Sequence, residues 1–236
     1  MRIPNSFAAT AALILITAAS SRGQSPREFA LRSSFSLSAI QTRPQGELAR
    51  NIGFGYGVNG AYEFRLDDAG IFSIRADIGV VDYGNESKRT ALSETVGDRV
   101  QVNVRTTNFI VPISVGPQLA WPSGIVRPYV NVGIGGQGFL TESHVDGTGD
   151  NIPFASTTNQ SDFTSSWTVG GGIYVPIVTS KVRAQLDLGV QYLNGGRARY
   201  LAPGSIEDLP GGHININQIE SATHMVAIRL GARIGL

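Results

Sequence analysis

The chain has 236 residues, room for one large β domain or two small ones, and a formal net charge of +1 with no basic tract, which argues against a nucleic-acid partner. Only 16% of its residues are charged, against about 25% in soluble domains, while glycine reaches 29 residues. Cysteine is absent, which excludes disulfides, thiolate catalysis and cysteine-based metal sites.

Residues 1–23 read as a cleaved signal peptide. Arg2 supplies a short positive region, FAATAALILITAA (7–19) an apolar one, and small residues follow, so cleavage is expected between Ala19 and Gln24. The apolar run is shorter than the ~20 residues of a helical span, and no later run approaches it. Residues 24–236 are therefore expected to form one exported domain in the bacterial envelope.

From there the period is two, the signature of strands with one face in oil and one in water. Strands are predicted at 28–40, 52–66, 71–83, about 99–119, 126–140, 165–178, 181 to about 199, and 219–236. In the seventh, Val182, Ala184, Leu186, Leu188, Val190 and Tyr192 oppose Arg183, Gln185, Asp187, Gly189 and Gln191. A phase change near Thr106–Asn108 suggests a β-bulge. ESKRTALSETV (86–96) reads as a short helix within a loop. Pro112, Pro128 and Pro176 fall inside strands and imply local kinks.

The connections alternate. DDAG (67–70), PSG (122–124) and TSK (179–181) are tight; about 41–51, 84–98, 141–163 and 200–217 are long and polar. This is the order of an all-β, eight-stranded, antiparallel up-and-down barrel with its tight turns at one end, and outer-membrane barrels show the same asymmetry.

Composition decides which face is inside. The polar face is mostly Gly, Ser, Asn and Gln, too small and too sparsely charged for a soluble exterior but suited to a narrow eight-stranded lumen. Its charges, Glu63, Arg65, Arg75, Asp77, Arg127, Arg183, Asp187, Arg229 and Arg233, are expected to pair as a lumen network, because buried charges need partners. Phe64, Phe72 and Trp121 mark one interfacial level; Phe54, Tyr56, Trp167 and Tyr192 mark the other. Phe54 and Phe64 share a face, roughly 33 Å apart along a strand, or roughly 25 Å when tilted, which matches the apolar band of a transmembrane barrel.

With its signal, eight strands and final strand HMVAIRLGARIGL, the chain resembles the small outer-membrane β-barrel family of Gram-negative bacteria, the OmpA/OmpX-like group, over the whole mature length. The resemblance implies the lipid bilayer and lipopolysaccharide as surroundings and the barrel-assembly machinery as a partner during biogenesis. That machinery usually reads a terminal Phe or Trp, whereas Leu236 ends this chain.

No motif points to chemistry. GIGGQG (133–138) fits a dinucleotide fingerprint but lacks the helix that must follow. DGTGDN (146–151) lacks the length of a calcium loop, and His144, His213 and His224 have no ligand spacing, so no metal or cofactor is expected. Ser221 and His224, with Glu220 nearby, project to opposite faces of a regular strand. Arg50, Arg197 and Arg199 lie near loop bases, where guanidinium could meet phosphate. The reading is a non-enzymatic outer-membrane barrel with a structural or loop-mediated role and at most a small pore. Its rivals are a lipid-modifying outer-membrane enzyme and a soluble exported barrel binding an apolar ligand.

Overall fold

The computed structural model describes residues 32–91, 101–147, 153–179, 182–209 and 213–235, so the expected signal segment lies outside the described residues. Within them, twelve strands follow in chain order: β1 (Ser33–Pro44), β2 (Gly55–Arg65), β3 (Phe72–Ala91), β4 (Gln101–Ala120), β5 (Arg127–Gly147), β6 (Pro153–Thr179), β7 (Val182–Gly195), β8 (Arg197–Tyr200), β9 (Ile206–Leu209), β10 (His213–Ile216), β11 (Ile219–Ala222) and β12 (Met225–Gly235). Strands β1 to β7 and β12 close into one barrel, each antiparallel to its neighbours, with β1 pairing β12 at the seam. Closure gives every wall strand a partner on both sides and removes the open edge.

Alternation is resolved in favour of an oily exterior. On β12, Ile228 and Leu230 are 54% and 53% exposed while Arg229 between them is 1% exposed. The same phase turns Val58, Tyr62 and Phe64 of β2 outward and Asn59 and Glu63 inward. A soluble barrel would show the reverse.

Strands β3, β5 and β6 run longer than expected, while β4 has about the expected length. Strands β3 to β6 have 20, 20, 21 and 27 residues, against the 9–11 that cross a bilayer. Beyond the wall they continue as a raised sheet in which Gly84–Ala91 pair with Gln101–Asn108. The helix expected at 86–96 is thus corrected: residues 86–91 are strand, because residue-by-residue pairing overrides local helix propensity, and 92–96 lie outside the described residues. The bulge also moves. β4 pairs β5 without a shift at Thr106–Asn108, and the extra residue is Tyr83, between Asp82 and Gly84 of β3. Much of 141–163 is strand, and the last long connection carries the β9–β10 hairpin and a β8–β11 pair. The β3–β4 ladder skips a step at Val111–Pro112 and the β4–β5 ladder one at Gly116–Pro117, where proline has no N–H to donate, whereas the ladders run unbroken through Pro128 and Pro176, where kinks were expected.

Candidate functional site

The bore is filled at two levels. Nearer the short turns, strands β2, β3, β7 and β12 aim three carboxylates and three guanidiniums at the axis. Arg75 donates Nη1 to Glu63 Oε1 at 2.9 Å and Nε to Asp77 Oδ2 at 2.9 Å, and its Nη1 lies 3.8 Å from Asp187 Oδ2. Arg233 grips Glu63 Oε2 through Nη2 at 2.7 Å and Nε at 3.1 Å. Arg229 Nη1 reaches Asp77 Oδ1 at 2.9 Å. All six side chains are almost fully enclosed. Their charges cancel, as a low-dielectric interior demands.

Of the nine expected network residues, Glu63, Arg75, Asp77, Asp187, Arg229 and Arg233 come together. Arg127 donates Nε to the Trp121 carbonyl at 2.9 Å, bracing the β4–β5 turn. Arg65 sits half-buried at the end of β2. The side chain of Arg183 lies outside the described residues.

The pattern did not single out the tyrosines that complete the layer. Tyr129 donates to Asp187 Oδ1 at 2.7 Å, and Tyr174 donates to Glu63 Oε1 while receiving Arg75 Nη1 at 3.1 Å. Their rings stack 4.4 Å apart, and the Arg233 guanidinium lies 4.6 Å from the Tyr174 centroid. Room for Tyr129 comes from glycine: a Cβ at Gly172 or Gly189 would meet its hydroxyl at 2.6 or 2.5 Å. A signal was available, since both tyrosines fall on the Gly/Asn/Gln face of their strands.

Nearer the long connections the bore turns apolar. Ile40, Val81, Tyr83, Ile110, Phe139, Leu193 and Met225 face inward from the wall. Leu48 and Ile52 press in from the β1–β2 connection, and Tyr200 and Leu201 from the chain between β7 and β12. Tyr200 stacks on Phe139 with centroids 5.3 Å apart, and Tyr83 donates to the Leu201 carbonyl at 2.9 Å. This layer contradicts a bore that is polar throughout: each wall residue lies in the lumen phase, but only above the ionic level.

The rim holds a second set of charges. Glu47 Oε2 accepts from Arg197 Nη1 at 3.1 Å and from the Ala222 amide at 3.1 Å. Glu220 accepts from Arg197 Nε at 3.1 Å and Arg199 Nε at 3.3 Å. The Ala222 amide, then Arg197, hold the Glu47 carboxyl below its usual range; Arg197 and Arg199 do the same for Glu220. Arg197 and Arg199 are therefore engaged within the protein. Ser221 Oγ bonds Tyr200 Oη at 2.8 Å, which ties it to the stopper.

The expected interfacial aromatics Phe54, Tyr56, Phe64, Phe72, Trp121 and Trp167 are exposed on the outer side, and Tyr192 is half-buried against Trp167, 6.0 Å between centroids. GIGGQG lies in mid-strand on β5. No cluster of metal-binding side chains occurs among the described residues.

Residues 8–206 match the family described as the outer membrane protein beta-barrel domain. The chain belongs to that family. Its apolar belt is accordingly the lipid-facing wall of a barrel in the bacterial outer membrane. Similar solved structures include neisserial surface protein A, NspA, 12% identical with 86% of this chain and 97% of that chain covered and a TM-score of 0.44. The attachment invasion locus protein Ail of Yersinia pestis, in complex with the heparin analogue sucrose octasulfate, is 13% identical, with 86% and 97% covered and a TM-score of 0.41. A major outer membrane protein from Thermus thermophilus is 14% identical, with 86% and 99% covered and a TM-score of 0.39. No curated protein matches.

Proposed function

We infer that this outer-membrane barrel is a closed scaffold that works through what it displays at its long-connection end, and that it does not pass solutes. The filling of the bore at two successive levels carries the reading. An ion entering from the short turns meets a charge-balanced layer, and one entering from the other side meets aliphatic and aromatic side chains that give it no hydration. An eight-stranded bore is only wide enough for such side chains. The raised β3–β6 sheet and the connections beside it are the surface left for interaction.

The outer wall meets the bilayer, and lipopolysaccharide is the lipid expected at the rim. Exposed Arg50 remains a candidate for its phosphates, whereas Arg197 and Arg199 already have carboxylate partners. The barrel-assembly machinery is the expected partner during insertion. The engagement of Ser221 with Tyr200 supports a non-enzymatic role.

The test is conductance. The refolded full chain in a planar lipid bilayer at neutral pH is expected to give no sustained current steps. A stable open level, persisting for seconds without applied-voltage breakdown, would overturn the closed scaffold.

A further inference from the structure

Two segments far apart in sequence meet over the apolar level. The first is the β1–β2 connection, residues 45–54; the second is the stretch from β8 to β11. One carboxylate oxygen joins them: Glu47 Oε2 takes hydrogen bonds from Arg197 Nη1 and the Ala222 amide, both at 3.1 Å. Asn51 Nδ2 adds a bond to Tyr200 Oη at 2.9 Å, and the Gln45 amide one to the His224 carbonyl at 2.8 Å. Directly after Glu47, Leu48 is fully buried in the bore, and Ile52 follows one turn later.

Residues 47–52 hold their own shape. The amides of Arg50, Asn51 and Ile52 bond back to the carbonyls of Glu47, Leu48 and Leu48, making a single 3-10 turn over Leu48–Arg50. Glycines flank this unit. Gly46 has a φ of +60°, open to glycine at little cost, and a side chain at Gly53 would touch nothing within 4 Å. A compact turn between two permissive residues, whose ionic tie to the opposite segment is an exposed carboxylate beside the Asn51 and Gln45 hydrogen bonds, has the construction of a hinged plug.

We propose that Glu47 is a latch. It holds residues 47–52 in the barrel mouth, and its release lets that turn swing out about Gly46 and Gly53, carrying Leu48 and Ile52 off the bore. The proposal rests on the closed-bore reading, and the experiment separates the two.

The chain has no cysteine, so one introduced thiol is a clean probe. Ala227→Cys places it in the apolar layer, where Ala227 is 0% exposed, and Ser156→Cys places it on an exposed strand as a reference. The full chain is refolded into lipid vesicles, its heat-modifiable gel mobility is checked, and labelling by a charged, membrane-impermeant maleimide is timed. Ala227→Cys is expected to label far more slowly than Ser156→Cys, and adding Glu47→Gln is expected to speed it at least tenfold. Glu142→Gln, a carboxylate outside the latch, is expected to leave the rate unchanged. If Ala227→Cys alone labels as fast as the reference, the closed bore itself is wrong. If it is protected and Glu47→Gln leaves it equally protected, or if Glu142→Gln accelerates it as much, the latch is wrong while the closed bore stands. Should Glu47→Gln not fold, Arg197→Gln breaks the same pair from the other segment and is read in the same way.

Discussion

Arg233 on β12 reaches across β1 to Glu63 on β2, two strands away in the wall, and sets Nη2 2.7 Å from Oε2. The same carboxylate receives Arg75 on its other oxygen. Glu63→Ala therefore leaves two guanidiniums enclosed with one partner fewer, and a loss of about 3–5 kcal/mol is expected. The urea midpoint of the vesicle-embedded barrel, followed by tryptophan fluorescence, measures it. Arg233→Ala should cost a similar amount, and the double variant clearly less than the sum, since both remove one interaction.

Tyr200 has two separable roles. Tyr200→Phe keeps the ring on Phe139 but strips the hydroxyl from Asn51 and Ser221, at an expected cost of about 1 kcal/mol. Tyr200→Ala also empties part of the apolar layer and is expected to cost about 3–5 kcal/mol. Equal losses in the same unfolding measurement would show that the ring adds nothing.

The seam has a glycine that cannot grow. A Cβ at Gly231 would sit 2.2 Å from the Leu37 carbonyl oxygen and 2.2 Å from Ser38 Oγ, so β1 and β12 must separate to admit it. At Gly138 the nearest atom would be 3.8 Å away. Gly231→Ala is expected to reduce the folded, fast-migrating fraction on an unboiled gel, with a penalty of about 1–3 kcal/mol, while Gly138→Ala refolds like the native chain.

The rim cluster responds to acid in a set direction. Glu47 faces Arg197 and Arg50, and Glu220 faces Arg197 and Arg199; both carboxyls titrate below the usual 4.5 when folded. A depressed folded pKa means the cluster's stabilisation is present above that unfolded value and disappears as pH falls through the folded one. Arg197, raised further above its normal value, stays charged throughout. The amide proton of Ala222, bonded to Glu47, is expected to shift in NMR spectra with a midpoint below 4.5, and Arg197→Gln should move that midpoint upward. A native midpoint at or above 4.5 would contradict the arrangement.

The wall was legible in the sequence because a two-solvent sheet imposes strict alternation: Val58 against Asn59, or Ile228 against Arg229, needs no tertiary information. The raised sheet was not. In SDFTSS (161–166) the enclosed face is Thr164 and Ser166 and the outer face includes Ser161 and Ser165, so small polar residues stand on both faces and the stretch resembles a loop. The apolar stopper was hidden for a related reason. Tyr83 and Phe139 sit in the inward phase, but what makes them a layer is Leu48 and Tyr200 arriving from connections that periodicity does not describe. Glu86–Ala91 read as helix because local pattern there is weak, and only pairing with β4 decides its shape.

The strand that closes the barrel also carries two of the guanidiniums that neutralise the bore. Within the six-residue layer, β12 contributes Arg229 and Arg233 together; without that strand the layer's three carboxylates, Glu63, Asp77 and Asp187, would face one of its guanidiniums, Arg75. A seam between β1 and β7 would enclose those carboxylates without the two guanidiniums of β12, a cost in a low-dielectric space that disfavours the shorter ring.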